Sequence, residues 1–255
     1  MIKQIPNLFT LLNLIFGCCA IVAVLQSGVA IQYDGAGNQY IDIPEKIFLS
    51  SIFIGLAAVI DFFDGFVARL LKASSEMGKQ LDSLADVVSF GVAPSMIIYQ
   101  FLRMGYASEE NGLEVNAVFL MPAFVIAAAA AYRLAKFNLD TRQTDSFIGV
   151  PTPAIGLLIA SFPLIYWTTE SATVVGLLTN KWMIYAIIIV VSWLMVSPIS
   201  MMSLKIKSLN FKQHIHWLIW IVLSIVLAII FRWLAVPMAF IAYIILSLLN
   251  KKKLS

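Results

Sequence analysis

Runs of about 17–25 residues with almost no charge recur along this 255-residue chain, and that is the length a helix needs to cross a hydrocarbon core about 30 Å thick. In hydrocarbon every backbone N–H and C=O must be satisfied within the chain, so runs of this length are expected as helices. About eight such spans are predicted, near 8–26, 46–70, 81–103, 116–138, 152–168, 181–197, 214–231 and 233–250. Apolar residues make up 61% of the chain and charged ones 12%, which excludes a soluble globular domain. The fold class is therefore all-α, a polytopic membrane helix bundle. Residues 1–7 are expected as a short amphipathic interfacial helix before the first span. That span has one preceding lysine and no convincing small-residue cleavage site, so it reads as retained rather than as a signal peptide.

The charges fix an orientation. With the N-terminus inside, the inner segments hold Lys3, Arg69, Lys72, Lys79, Arg133, Lys136, Arg142, Lys205, Lys207, Lys212 and Lys251 to Lys253, which is 13 of the 17 basic residues. The outer segments hold Lys46, Arg103, Lys181 and Arg232, and most of the acids outside the spans. Positive charge concentrates on the cytoplasmic side of membrane proteins, so both termini and the 71–80 loop are expected there. Net charge is only +3 and is spread over short loops; nothing in it forms a nucleic-acid surface, whereas the Lys251–Lys253 tail suits anionic headgroups.

The connections are mostly short. Residues 27–45 contain a turn cluster between Ile31–Tyr33 and Tyr40–Ile43, which predicts a small hairpin. Residues 198–213 form a basic connector, and this divides the chain into a six-helix core over 1–197 and a plainer C-terminal part over 198–255. Cys18 and Cys19 are adjacent within a span and read as small packing residues. His214 and His216 sit at the inner edge of a span, at a spacing poorly suited to a metal pair on one helix face. Trp167, Trp182, Trp217 and Trp233 fall near span ends, where such rings settle.

Against this apolar background, four aspartates stand out. Asp61 and Asp64 lie near the inner end of the second span, and Asp82 and Asp86 near the inner start of the third. Their i+3 and i+4 spacings put each pair on one helix face. Carboxylates at membrane depth are costly and mark function, and four that converge cannot all ionise without a cation. Hard carboxylate oxygens suit Mg²⁺, Mn²⁺ or Ca²⁺. Gly65 and Gly78 leave room for a ligand beside the backbone, and Arg69 offers a fork of donors to phosphate. Together they predict one or two divalent ions and a phosphate-bearing substrate in the headgroup region.

The full string is Asp61-x-x-Asp64-Gly65-x-x-Ala68-Arg69, eight residues, then Gly78-x-x-x-Asp82-x-x-x-Asp86. It resembles, without departure, the signature of the CDP-alcohol phosphatidyltransferases. Ser89 to Ser95, the N-terminal Pro6-Asn7-x-x-Thr10-x-x-Asn13, Arg133 to Asn138 and Phe147 to Ala154 further resemble the branch of that family that uses serine. The resemblance covers residues 5–155 well. It implies transfer of a phosphatidyl group from CDP-diacylglycerol to L-serine, with release of CMP, in the inner membrane of a prokaryote. It also implies a homodimer. On this resemblance Asp61, Asp64, Asp82 and Asp86 are metal ligands for two ions, and Asp86 is also the general base. Gly65, Ala68, Arg69 and Gly78 would seat the nucleotide and pyrophosphate, joined by Asn7, Thr10 and Asn13 from one helix face.

For the acceptor, serine's carboxylate calls for a guanidinium. Arg133 or Arg142 is expected to read it, with Lys136 on phosphate and Asn138 close by. Phe147 to Ala154 is expected as a wall of that pocket. Two other readings stay open here: another acceptor (glycerol 3-phosphate, inositol phosphate or choline) on the same fold, and a cation transporter that uses the four acids as its ion path.

Overall fold

The computed structural model describes residues 5–33, 35–37, 39–71, 73, 75–107, 114–139, 147–201 and 215–250. Arg142, Lys72, His214 and the Lys251–Lys253 tail lie outside them, as do the side chains of His216 and Trp217. Helix α1 spans Ile5–Leu25 and α2 spans Phe48–Leu70. Between them β1 (Ala30–Tyr33) and β2 (Gln39–Asp42) pair antiparallel, forming the expected hairpin. Then come α3 (Glu76–Asp86), α4 (Ala93–Ala107), α5 (Val125–Leu139), α6 (Thr152–Thr168), α7 (Ala172–Thr179) and α8 (Lys181–Val196). Helices α9 (Ile215–Phe231) and α10 (Ala235–Asn250) close the chain, and a short strand pair joins β3 (Phe147–Ile148) to β4 (Ser200–Met201).

Among the described residues, five helical stretches are long and apolar enough to cross a bilayer, or six when α7 and α8, bent by 67°, count as one. The expected count of about eight is not reached on that measure. One stretch, Ile219–Leu249, is not straight. The indole N–H of Trp220 donates to the Ala239 carbonyl at 2.9 Å, and the Trp220 and Tyr243 ring centroids lie 5.9 Å apart. A straight helix rising 1.5 Å per residue would hold those residues more than about 25 Å apart. Thus α9 and α10 fold back on each other at Arg232, whose φ of 51° places a non-glycine residue in the left-handed region. At the other terminus, residues 5–7, expected as part of a separate interfacial helix, form the first turn of α1.

The bundle is organised as a membrane protein, with small and polar groups inside. Thr10, Asn13, Gly17 and Ala20 form the buried stripe of α1, while Leu8, Leu11, Ile15 and Val22 are exposed. Without water to drive apolar burial, small side chains let helices approach closely. Helix α1 packs along α2; both contact the inner helix α4, and α2 also packs on α6. At the core Phe90, Ile97, Phe101, Ile126, Ile155 and Ile159 have no exposed surface.

A π-helical turn over Val87–Val92 joins α3 to α4, and three close approaches clamp it. A Cβ on Gly17 would fall 2.4 Å from Ser89 Oγ, one on Gly156 2.9 Å from the Phe90 ring, and Gly91 packs against Ala130. The Ser89 hydroxyl also donates to the Asn13 carbonyl at 3.0 Å. Single π turns break helical register, often at functional sites. This one directly follows Asp86.

Candidate active site

The acids converge at the end of the bundle where α1 and α3 begin and α2 and α5 finish. Ser75 caps α3, its hydroxyl accepting from the Gly78 N–H at 3.0 Å. Such a cap satisfies a donor that the first turn leaves open, and it starts α3 at Glu76 rather than near residue 81. The extra turn brings Gly78 and Asp82 level with Asp61 and Asp64. Carboxylate oxygens of Asp61, Asp64 and Asp82 then lie within 4.8 Å of one another. Asp61 is also within hydrogen-bond reach of Asp86, one turn further along α3. Asp64 and Asp86 are buried, with exposures of 6% and 7%.

Helix α1 supplies the polar partners. Thr10 Oγ1 donates to Asp64 Oδ2 at 2.8 Å, and Asn13 Nδ2 approaches Asp86 Oδ1 at 3.4 Å. Positive charge is scarce. Arg69 faces Asp64 from one turn away but is itself exposed, and Lys79 Nζ is held by the Asn138 carbonyl at 3.2 Å. Like charges this close in a poorly solvated site require a counter-cation. The donor set is all carboxylate oxygen, which fits a hard divalent ion.

A cavity of about 530 Å³ opens beside the acids. Asn7, Thr10, Gly65, Ala68 and Gly78 line it together with Asp64 and Asp82, so most residues expected to seat a nucleotide share one space. Among the described residues, and apart from its own helix backbone and chain neighbours, a Cβ on Gly65 would meet Arg69 Nη1 alone within 4 Å, at 3.7 Å, so the bare backbone of Gly65 borders open volume. Asn13, fully buried, and Arg69, whose Nη1 lies near Gly65, do not line it. Pro6, Ala73, Ser75, Glu76 and Lys79 also line it and were not expected to. Of these only Ser75 carries a sequence signal, a serine three residues before a helix glycine at a cap position.

The residues expected at the acceptor do not form one group. Arg133 is buried at 8% exposure, and its Nη1 donates to Thr152 Oγ1 at 3.0 Å. It lies within electrostatic reach of Asp86. Lys136 is exposed and shares a narrow cleft with Arg133, Met195 and Ser197. Asn138 is turned to α3 instead, where its Nδ2 donates to Ser83 Oγ at 2.8 Å. Thr152 is the overlooked member. Its place in a Pro-Thr-Pro run suggested a rigid loop, and only the fold shows its hydroxyl at the guanidinium.

Comparison with known proteins agrees with this geometry. The family model described as CDP-alcohol phosphatidyltransferase matches residues 3–196. A Helicobacter pylori protein named CDP-diacylglycerol–serine O-phosphatidyltransferase is 31% identical over 226 residues, covering 87% of this chain and 81% of that protein. A Bacillus subtilis protein of the same name is 34% identical over 168 residues, covering 63% of this chain and 76% of its own length. One from Methanocaldococcus jannaschii is 38% identical over 109 residues, covering 43% and 47% respectively. With the signature aspartates gathered at one end of a membrane helix bundle, the chain belongs to the CDP-alcohol phosphatidyltransferase family.

Proposed function

We propose that this membrane enzyme transfers the phosphatidyl group of CDP-diacylglycerol to the hydroxyl of L-serine, forming phosphatidylserine and releasing CMP. The observation that carries this reading is the Asp61–Asp64–Asp82 cluster with Asp86 beside it and the buried Arg133 within electrostatic reach of Asp86. A small zwitterion between them presents its carboxylate to the guanidinium and its hydroxyl to a carboxylate base. The names of the relatives support serine as that zwitterion.

In this reading Asp61, Asp64 and Asp82, with Asp86, hold two Mg²⁺ or Mn²⁺ ions. When bound, the metal neutralises charge on the pyrophosphate and on the transferring phosphoryl group, which helps CMP leave. Gly65, Ala68 and Gly78 admit the nucleotide and pyrophosphate to the cavity, with Asn7 and Thr10 on the facing wall and Arg69 near Gly65. Asp86 accepts the serine hydroxyl proton as the oxygen bonds to phosphorus and the bond to the CMP oxygen breaks. Asn13 orients the Asp86 carboxyl, and Arg133 holds the serine carboxylate, with Lys136 beside it for phosphate. Residues 1–197 form the catalytic core. The distribution of basic residues supports a cytoplasmic active site, the bacterial and archaeal relatives support a prokaryotic inner membrane, and family resemblance supports a homodimer.

The test is CMP release by the purified protein in detergent, with CDP-diacylglycerol, Mn²⁺ or Mg²⁺, and each acceptor in turn. Release that needs both metal and L-serine is expected. Release with glycerol 3-phosphate or inositol phosphate, and none with serine, would overturn the acceptor assignment while leaving the metal cluster in place.

A further inference from the structure

We infer that Thr152, at the start of α6, is a positioning residue for Arg133: its hydroxyl holds the guanidinium in place for the carboxylate of the acceptor. This rests on the serine reading above and deepens it, because it names a residue outside the acid cluster on which serine affinity depends.

The contact is direct. Arg133 Nη1 donates to Thr152 Oγ1 at 3.0 Å, across 19 residues of sequence. Thr152 has no exposed surface and Arg133 only 8%, so the bond is made away from water, where a lost one is costly. The guanidinium is nonetheless not saturated. Its Nε is buried and has no hydrogen-bond partner among the described residues. A buried donor left open in this way calls for an explanation, and a ligand acceptor supplies one. Arg133 lines a narrow cleft together with Lys136, Met195 and Ser197. A carboxylate is met best by two parallel N–H donors. With Nη1 held by Thr152, the edge formed by Nε and Nη2 is left for it.

Thr152 is itself firmly placed. It is the first residue of α6, and the prolines on either side of it restrict the backbone. The loop that leads to it is strapped to the segment after α8. The Gly149 N–H donates to the Ile199 carbonyl at 2.8 Å and the Val150 N–H to the Leu194 carbonyl at 3.1 Å, while β3 pairs with β4. Gly149 has a φ of 76°, and a Cβ there would strike the Met195 carbonyl, so the approach requires glycine. Met195 and Ser197, which share the cleft with Arg133, belong to the same stretch that holds this loop. One piece of chain thus fixes both the Thr152 hydroxyl and a wall of the cleft.

The chemistry explains why a hydroxyl stands there. A guanidinium recognises a carboxylate through its plane, and that plane must be held. An aspartate at position 152 would hold it but would also neutralise the charge the acceptor needs. A threonine oxygen is a neutral dipole. It orients the guanidinium and leaves its charge for the incoming carboxylate.

The experiment uses the full-length protein in detergent, with CMP release followed as a function of serine and, separately, of CDP-diacylglycerol. Thr152→Val keeps the side-chain shape and removes the oxygen. Its KM for serine should rise about 10-fold, the effect of a lost hydrogen bond to a charged group. Its kcat and its KM for CDP-diacylglycerol should stay within about twofold, the signature of lost ground-state binding. Thr152→Ser restores the oxygen without the methyl and should return the serine KM to within about threefold of wild type. Thr152→Ala, which also lacks the oxygen, replaces Thr152→Val if that variant does not fold. An unchanged serine KM, a parallel rise in both KM values, or no recovery in Thr152→Ser would reduce Thr152 to a packing residue. A wild-type protein that releases CMP with some other acceptor only would overturn the serine reading itself, a separate outcome visible before any variant is made.

Discussion

Thr10 on α1 donates its hydroxyl to Asp64 on α2 at 2.8 Å, across 54 residues of sequence. A hydroxyl donor leaves the carboxylate charged and fixes one oxygen, so the other is free to meet a cation. Such outer partners govern both ligand direction and metal affinity. Thr10→Val keeps the side-chain shape and removes the donor. A hydrogen bond to a charged group contributes about 1.5–3 kcal/mol, so half-saturating Mn²⁺ in CMP release should rise at least about 10-fold. Thr10→Ser should recover most of the loss. A Thr10→Val protein with wild-type Mn²⁺ dependence would mean that Asp64 needs no such anchor.

Asp61 sits at the centre of the acids, within reach of Asp64, Asp82 and Asp86. Without metal this crowding is repulsive; with metal it becomes the binding energy. Asp61→Asn should therefore shift stability in opposite directions in the two conditions. In chelator its thermal midpoint should exceed that of wild type, because a buried like charge is gone. Added Mn²⁺ should then stabilise wild type but not the variant; saturation at 100 times Kd is worth about 2.7 kcal/mol. Activity should fall by more than the roughly 10–100-fold seen when only an outer partner of a metal ligand is lost. Equal Mn²⁺ stabilisation of both proteins would count against metal binding at this cluster.

The glycines around the π turn make a separate forecast. On Gly17 a new methyl would meet Ser89 Oγ at 2.4 Å and its backbone Cα at 2.9 Å; on Gly156 it would meet Phe90 at 2.9–3.1 Å. Gly17→Ala and Gly156→Ala should each destabilise by about 1–3 kcal/mol through overpacking. Both should lower kcat as well, since the turn they distort begins at the residue after Asp86. Gly28→Ala, with nothing within 4 Å, serves as the neutral comparison. Thermal unfolding midpoints in detergent with CMP release read both effects, and a normal midpoint for Gly17→Ala would show that α1 can withdraw from the turn at little cost.

The sequence and the fold divide the explanation unevenly. The acids were legible because a bilayer makes every carboxylate conspicuous, and because i+3 and i+4 spacings place side chains without any tertiary knowledge. The hairpin at 30–42 was legible from its turn residues. The start of α3 was not, because an apolarity window discounts Glu76-Met77-Gly78-Lys79-Gln80, which helix capping by Ser75 nonetheless recruits. Thr152 was beyond reach for another reason. Its importance lies in one partner, Arg133, which is distant in sequence, and no local pattern encodes such a contact. The fold-back of α9 on α10 was suggested by Arg232 alone, and the crossing count suffered wherever helices are short, bent or folded back.

Asn138 offers the sharpest separation between an acceptor ligand and a structural brace. Its amide donates to Ser83 Oγ at 2.8 Å, its carbonyl accepts from Lys79 Nζ at 3.2 Å, and Ser83 donates back to the Lys79 carbonyl at 3.2 Å. These bonds tie the last turn of α5, where Lys136 lies, to the motif helix α3. Asn138→Ala should remove the amide bond to Ser83 and cost about 0.5–1.5 kcal/mol. In a chain of this size that lowers the thermal midpoint by about 1–5 °C. A brace should leave the serine KM within about twofold while kcat drops, because α3 carries the acids and loses part of its support. A contact with serine predicts the reverse, a raised serine KM and an unchanged midpoint. Measuring the midpoint and the serine KM on the same preparation decides between them, and the orientation of Asn138 toward Ser83 favours the brace.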